Sequence, residues 1–198
     1  GEGADAPNDH FLYGAIKAFI QEMQPLASLS EDNKRSIQSG IWSLGHYFQT
    51  YINDPYEIHI DAHGPAIERS FEVVLFENEY QVIILFGTID LILKNTITGE
   101  VLPADHKTTS MMGWDFMART KPNHQYTGYL LGAQKALGIT SENFMINGIE
   151  TKARPKTSRG GPPKFIRQIT RRTPEDFIEF EDVVSEAVNN YLRWDNQY

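Results

Sequence analysis

The chain contains no cysteine. Disulfides, thiolate zinc sites and cysteine-ligated iron–sulfur clusters are therefore excluded, and any metal must be held by oxygen ligands or histidine. Oxygen ligands favour Mg²⁺, Mn²⁺ or Ca²⁺. No apolar run approaches the roughly 20 residues that span a bilayer, so no membrane partner is expected. The opening GEGADAPNDH is polar and has no signal-peptide character, which leads to the expectation of a cytoplasmic protein. Positive charge is scarce as well: 18 Lys and Arg stand against 26 Asp and Glu, a net charge of -8. Taken as a total, that balance argues against a nucleic-acid partner.

The distribution of charge points the other way. Between Thr151 and Thr173 lie eight bases and no acid: Lys152, Arg154, Lys156, Arg159, Lys164, Arg167, Arg171 and Arg172. A locally basic segment on an acidic body can position a phosphate backbone without making the whole surface sticky. The competing reading is a solvated loop. Within the tract only Phe165 is aromatic, so phosphate positioning is expected in preference to base reading.

A length of 198 residues, 40% of them hydrophobic, suits one folded domain with a substantial core. Neither an internal repeat nor a domain boundary stands out. Asn8 or Asp9 caps a first helix whose apolar face is Leu12, Ile16, Phe19 and Met23, and Pro25 ends it. Ser30 opens a second helix, with Ile37, Ile41, Leu44, Phe48 and Tyr51 on its apolar face. The period then changes from 3.6 to 2. Strands are expected from about Ala66, from Val82 through Leu93, and from Glu100 to His106, joined by turns at Asn78-Glu79 and at Asn95 to Gly99 into an antiparallel meander. Ser110 to Pro122 reads as a loop or short helix in which Met111, Trp114 and Met117 form either a lid or core. A helix over Asn123 to Ala136, ended by Gly138, leads to a fourth strand at Phe144 to Ile149. Phe165 to Ile169 reads as a short edge strand. Thr173-Pro174-Glu175-Asp176 starts the last helix. The whole is an α/β arrangement, a small mixed sheet with helices beside it.

The chemistry is concentrated at Gly87-Thr88-Ile89-Asp90 and, fifteen residues after Asp90, at Asp105-His106-Lys107-Thr108. Asp90 interrupts a strongly apolar strand. Asp105 and Lys107 are two apart on the next strand and share one of its faces. A carboxylate in such a strand is costly unless it is paired or binds a cation. Two carboxylates brought together repel, and a divalent metal resolves that repulsion. A structural Asp–Lys pair at a sheet end stays open as the plainer alternative.

Taken in order, these residues resemble the PD-(D/E)XK nuclease superfamily in its RecB-like branch, of phage or bacterial type and without an iron–sulfur cluster. That branch has a helical His, a Glu, a G-x-x-D strand, a D-x-K-T strand and a helix bearing Q-x-x-x-Y. This chain has His46, Glu68, Gly87 to Asp90, Asp105 to Thr108, and Gln125 to Tyr129. The resemblance covers about residues 37 to 150, and it departs from the branch in lacking a glycine four residues before His46. It implies a restriction-endonuclease-like mixed sheet flanked by helices. It further implies Mg²⁺ or Mn²⁺ held by Glu68, Asp90 and Asp105 with His46 as an added ligand, Lys107 as the active-site lysine, and Gln125 as a further catalytic residue. Glu72 is the rival to Glu68. Tyr129, Arg119 and Lys121 become DNA contacts, with Lys152, Arg154, Lys156, Arg159, Lys164 and Arg167 holding the backbone farther out. The implied activity is a deoxyribonuclease, an exonuclease leaving 5′-phosphate and 3′-hydroxyl ends and working in DNA recombination, repair or phage DNA processing beside a helicase, recombinase or single-strand-annealing partner. The competing functions are a non-cleaving nucleic-acid-binding or scaffold module of the same fold, a sequence-nonspecific endonuclease, and a sugar- or nucleotide-phosphate hydrolase using the same metal.

Overall fold

In a computed structural model the described residues are 7–24, 34–118, 123–155 and 160–195. The chain is mixed α/β. Its elements run α1 (Pro7–Met23), α2 (Ile37–Thr50), β1 (Tyr56–Ile58), β2 (Ile60–Asp61), β3 (Gly64–Pro65), β4 (Ile67–Glu77), β5 (Val82–Asn95), β6 (Val101–Thr109), α3 (Trp114–Ala118), α4 (His124–Leu137), β7 (Asn143–Glu150), β8 (Phe165–Arg171) and α5 (Pro174–Asp195). A six-stranded sheet has the order β1-β5-β6-β7-β8, with β4 also paired to β5, and β2 and β3 form a separate ribbon. The meander expected from the alternation is present, since β5 pairs antiparallel with both β4 and β6. The strand read from Phe165 does lie at the sheet's edge. The short strands β1 to β3 escaped the sequence reading, because three residues or fewer carry no usable period. Among the described residues no helix is long and apolar enough to cross a membrane.

The chain divides into two compact units. The first is Gly1–Asp54, Lys107–Phe116 and Gly148–Ile166; the second is Pro55–His106, Met117–Asn147 and Arg167–Tyr198. In the first, α1 packs on α2 where Gly40 leaves no room for a side chain: a Cβ there would stand 2.0 Å from the Phe19 ring. The second helix begins later than its sequence suggests. Ser30 lies outside the described residues, and the cap of the helix at Ile37 is Ser36, whose Oγ accepts the Ser39 amide at 3.2 Å. Ser36 is buried, so its hydroxyl satisfies an amide that water cannot reach.

The second unit holds the main core: Ala66, Phe71, Val73, Ile89, Ile92, Ala133 and Ile139. Its centre is Phe71. A Cβ on Gly132 of α4 would lie 2.3 Å from that ring, and one on Gly87 of β5 would lie 3.0 Å from it. The two glycines form a slot for the phenyl group and bring helix and sheet close together. Burying such a ring stabilises the fold by about 1.5–3 kcal/mol. Both hairpin turns are built by asparagine: Asn78 Oδ1 accepts the amides of Tyr80 and Gln81, and Asn95 Oδ1 those of Ile97 and Thr98. Thr173 opens α5 by accepting the Asp176 amide, while Asp176 accepts the Thr173 amide in return.

Candidate active site

Strand register gathers carboxylates that the sequence spreads over nearly forty residues. Ile67 lies opposite Leu91 and Arg69 opposite Ile89, so Glu68 falls opposite Asp90. On the other side of β5, Leu91 lies opposite Ala104; one residue further along each strand, Asp90 falls opposite Asp105. Glu68 and Asp90 thus sit between the paired positions Ile67–Leu91 and Arg69–Ile89, and Asp90 and Asp105 stand one residue past the last β5–β6 pair, so the three acids come to one level of β4, β5 and β6, all within the second unit. The β5–β6 ladder itself stops one residue before Asp90 and Asp105. The backbone amide of His106 donates to Asp90 Oδ2 at 3.2 Å, so a side chain takes over from a strand carbonyl at the point where pairing ends.

The three carboxylates have different surroundings. Asp105 is only 3% exposed, Asp90 is half-buried and Glu68 is exposed. Glu68 has φ 50, a left-handed conformation unusual inside a strand and costly for a residue with a Cβ. Its neighbour Arg69 is held by Asp61 through a 2.8 Å ion pair. Glu72, the rival, is exposed on β4 opposite Phe86 and lies outside the row. Lys107 follows Asp105 by two residues on β6 and is half-buried. Among the described residues no three His, Asp or Glu side chains stand close enough together to hold a metal ion. The register therefore aligns the donors, but their side chains do not converge into a ligand set.

Gln125 and Tyr129 lie in the same unit on α4, whose N-cap Asn123 accepts the Gln125 amide at 2.9 Å. Gln125 Nε2 donates to the Tyr129 hydroxyl at 3.1 Å, confirming the shared face expected from their spacing. The Tyr129 ring meets Phe71 edge-on at 6.1 Å and would contact any Cβ placed on Gly87. A Cβ at the glycine of the G-x-x-D segment would crowd Phe71 and Tyr129, so packing favours glycine there.

His46 belongs to the first unit, on α2, where its ring meets Trp42 edge-on at 5.3 Å. Met111 and Trp114 are exposed, at 75% and 84%, which removes the core reading for those two side chains. His106, set aside in the sequence because it alternates away from Asp105 and Lys107, has its ring Nδ1 2.8 Å from the amide of buried Asn147. Burial lowers its pKa; Asp90 acts against that shift and Arg167 reinforces it.

The described members of the basic tract have separate partners. Lys152 Nζ donates to the Gly161 carbonyl at 2.7 Å, and the Arg154 backbone donates to Ser39 while its side chain is exposed. Lys164 is exposed, and the Arg167 guanidinium lies 6.0 Å from the centre of the Tyr56 ring. Arg171 pairs with Glu142 through two hydrogen bonds. Arg172 is buried and donates to Thr127 Oγ1, Thr170 Oγ1 and the carbonyls of Arg171 and Asn123. It clamps the first turn of α4, a role for which the sequence offers no local signal. Arg119, Lys121, Lys156 and Arg159 lie outside the described residues.

No protein-family model matches the chain, and no curated protein matches it.

Proposed function

We propose that the chain is a divalent-metal-dependent deoxyribonuclease, a single RecB-like PD-(D/E)XK domain with the restriction-endonuclease-like fold, acting as a cytoplasmic exonuclease. One observation carries this reading: the alignment of Glu68, Asp90 and Asp105 across three adjacent strands, with Lys107 two residues beyond Asp105. Structural acids have no reason to gather at one level of three adjacent strands. Like charges on neighbouring strands destabilise a sheet unless something positive answers them.

The donor set is made of carboxylate oxygens, which suit Mg²⁺ or Mn²⁺. Glu68, Asp90 and Asp105 would hold the ion, and His46 remains a proposed added ligand. The bound cation supplies Lewis acidity toward a phosphate oxygen. In the hydrolysis a water oxygen bonds to phosphorus, the bond from phosphorus to the 3′ oxygen breaks, and the products are a 5′-phosphate and a 3′-hydroxyl. Lys107 would neutralise charge that develops on the phosphate. Gln125, held to Tyr129, would orient the substrate from α4. Exposed Arg154 and Lys164 would engage the DNA backbone.

The test uses end-labelled linear DNA, single- and double-stranded, and a covalently closed circle, each with Mg²⁺ or Mn²⁺. Cutting of linear DNA that is lost in Lys107→Ala and spares the circle supports the exonuclease; cutting of the circle converts the reading to an endonuclease. A second reading, a non-cleaving nucleic-acid-binding module of the same fold, is favoured by the lack of convergence among the described carboxylates. Binding of DNA without cleavage under every metal condition would establish it.

A further inference from the structure

The β4–β5 hairpin has two unlike faces. One carries Phe71, Val73 and Leu85 into the core beneath α4. On the other, Val74 lies opposite Ile84 and Glu72 opposite Phe86. Val74, Ile84 and Phe86 are 54%, 49% and 77% exposed, and Val82 toward the turn is exposed with them. All belong to one unit, so the patch is a property of that unit alone. A sheet face is normally covered by a second layer, and a contiguous exposed apolar patch of this kind marks an interaction surface.

Charge selects the occupant. From Ser70 to Thr88 the chain has Glu72, Glu77 and Glu79 and neither Lys nor Arg. Nucleic acid would be repelled by those acids. A second copy of the hairpin would bring the same acids and no base to answer them. Strand addition at the β4 edge is opposed by the bulge between Val74 and Phe76, since bulged edges pair poorly. We propose that this face docks an amphipathic helix of a partner protein, apolar on one side and fringed with lysine or arginine. Its apolar side would cover Val74, Ile84 and Phe86 as α4 covers the opposite face, and its basic fringe would meet Glu72 and Glu77. This proposal is independent of the nuclease reading.

The probe is a fluorescent designed helix of roughly five turns with leucine on one face and lysine on the other. Its control has glutamate in place of every lysine. Binding to the full chain is followed by anisotropy, and the site is mapped by amide chemical shifts. The lysine peptide should bind at least about tenfold more tightly than the control, a difference of about 1.4 kcal/mol. Shifts should fall on residues 72 to 86. Ile84→Ser with Phe86→Ser should abolish binding, and Glu72→Lys with Glu77→Lys should reverse the preference between the peptides. Because these side chains are exposed, both variants should keep the wild-type circular dichroism. Equal binding of the two peptides, no binding, or shifts elsewhere would overturn the proposal. So would a dimer of the unmixed chain in sedimentation that Phe86→Ser dissociates, which would make a second copy the occupant.

Discussion

The acidic row and the basic tract are opposites in how sequence maps onto space. Glu68, Asp90 and Asp105 are scattered along the chain, yet the offsets between strands bring them to one level of the sheet, Asp90 and Asp105 just past the last β5–β6 pair. The eight bases between Thr151 and Thr173 are close together in sequence, yet those among the described residues have separate partners. Lys152 holds a carbonyl, Arg167 lies over Tyr56, Arg171 pairs with Glu142 and Arg172 is buried. Nearness along the chain is therefore a poor guide to a shared surface, whereas register across a sheet is a good one. Charge density read from sequence has to be discounted for the side chains the fold consumes.

The sharpest way to break this comparison is to remove one member of the row. Asp105→Asn keeps the volume of the side chain and deletes its charge. If the row is the catalytic centre, turnover of linear DNA should fall by about 10²–10³-fold or more, while binding to DNA in the absence of added metal persists. Unchanged turnover would make the row a structural coincidence. The corresponding change in the tract is Arg172→Met. It leaves the Thr127 and Thr170 hydroxyls without that donor in a buried setting, so unfolding in urea should show a loss of about 2–4 kcal/mol. Arg154→Ala, at an exposed side chain, should stay within about 0.5 kcal/mol of the wild type.

The legible and illegible parts of the molecule differ for physical reasons. Long periodic segments were readable: α4 buries Tyr126, Leu130 and Ala133 as its spacing requires, and β4 buries Phe71 and Val73 while Glu72 and Val74 stay outside. The cap of α2 is not legible because Ser30 and Ser36 are equally good caps by residue type; Ser30 lies outside the described residues, and the helix is capped by buried Ser36. In the site, alternation along β6 put Asp105 and Lys107 together, but the row itself needed the offset between strands, which the sequence does not contain. The left-handed backbone at Glu68 was equally invisible, because nothing in Ile67-Glu68-Arg69 demands it. The apolar outer face of the hairpin was hidden in the same way: Val82 to Phe86 reads as one buried run, whereas Val82, Ile84 and Phe86 are exposed.

A smaller effect sharpens the contrast within the tract itself. Each lysine or arginine that contacts a phosphate should contribute about 0.9 to the slope of log affinity against log salt on duplex DNA. Lys164→Gln and Arg154→Gln should each lower that slope if the exposed bases bind backbone. Arg171→Gln should leave it nearly unchanged, because that guanidinium is already paired with Glu142 at 2.6 Å. Equal losses at all three positions would mean that the tract acts as one diffuse field, and the argument from dispersal would fail.

His106 is where the two regions act on one group. Its ring nitrogen is turned onto the buried Asn147 amide, and desolvation on that side of an otherwise exposed side chain sets its pKa below the ordinary value of about 6.5. Asp90, from the acidic row, pulls the pKa up; Arg167, from the basic tract, pushes it down. Replacing either neighbour should therefore move the titration in opposite senses: Asp90→Asn lowers the pKa further and Arg167→Gln raises it toward that of a free imidazole. Proton NMR of the His106 ring, recorded without divalent ions, reads both shifts. The consequence for stability has a fixed sign. The unfolded chain binds the proton more tightly than the folded one, so the contribution of neutral His106 is complete above the unfolded pKa near 6.5. It is lost as the pH falls from there through the lowered folded value. The urea midpoint of the wild type should drop across that interval more steeply than that of His106→Gln, and Arg167→Gln should lie between them. If the midpoints of all three fell in parallel, acidic row and basic tract would not be coupled through this histidine.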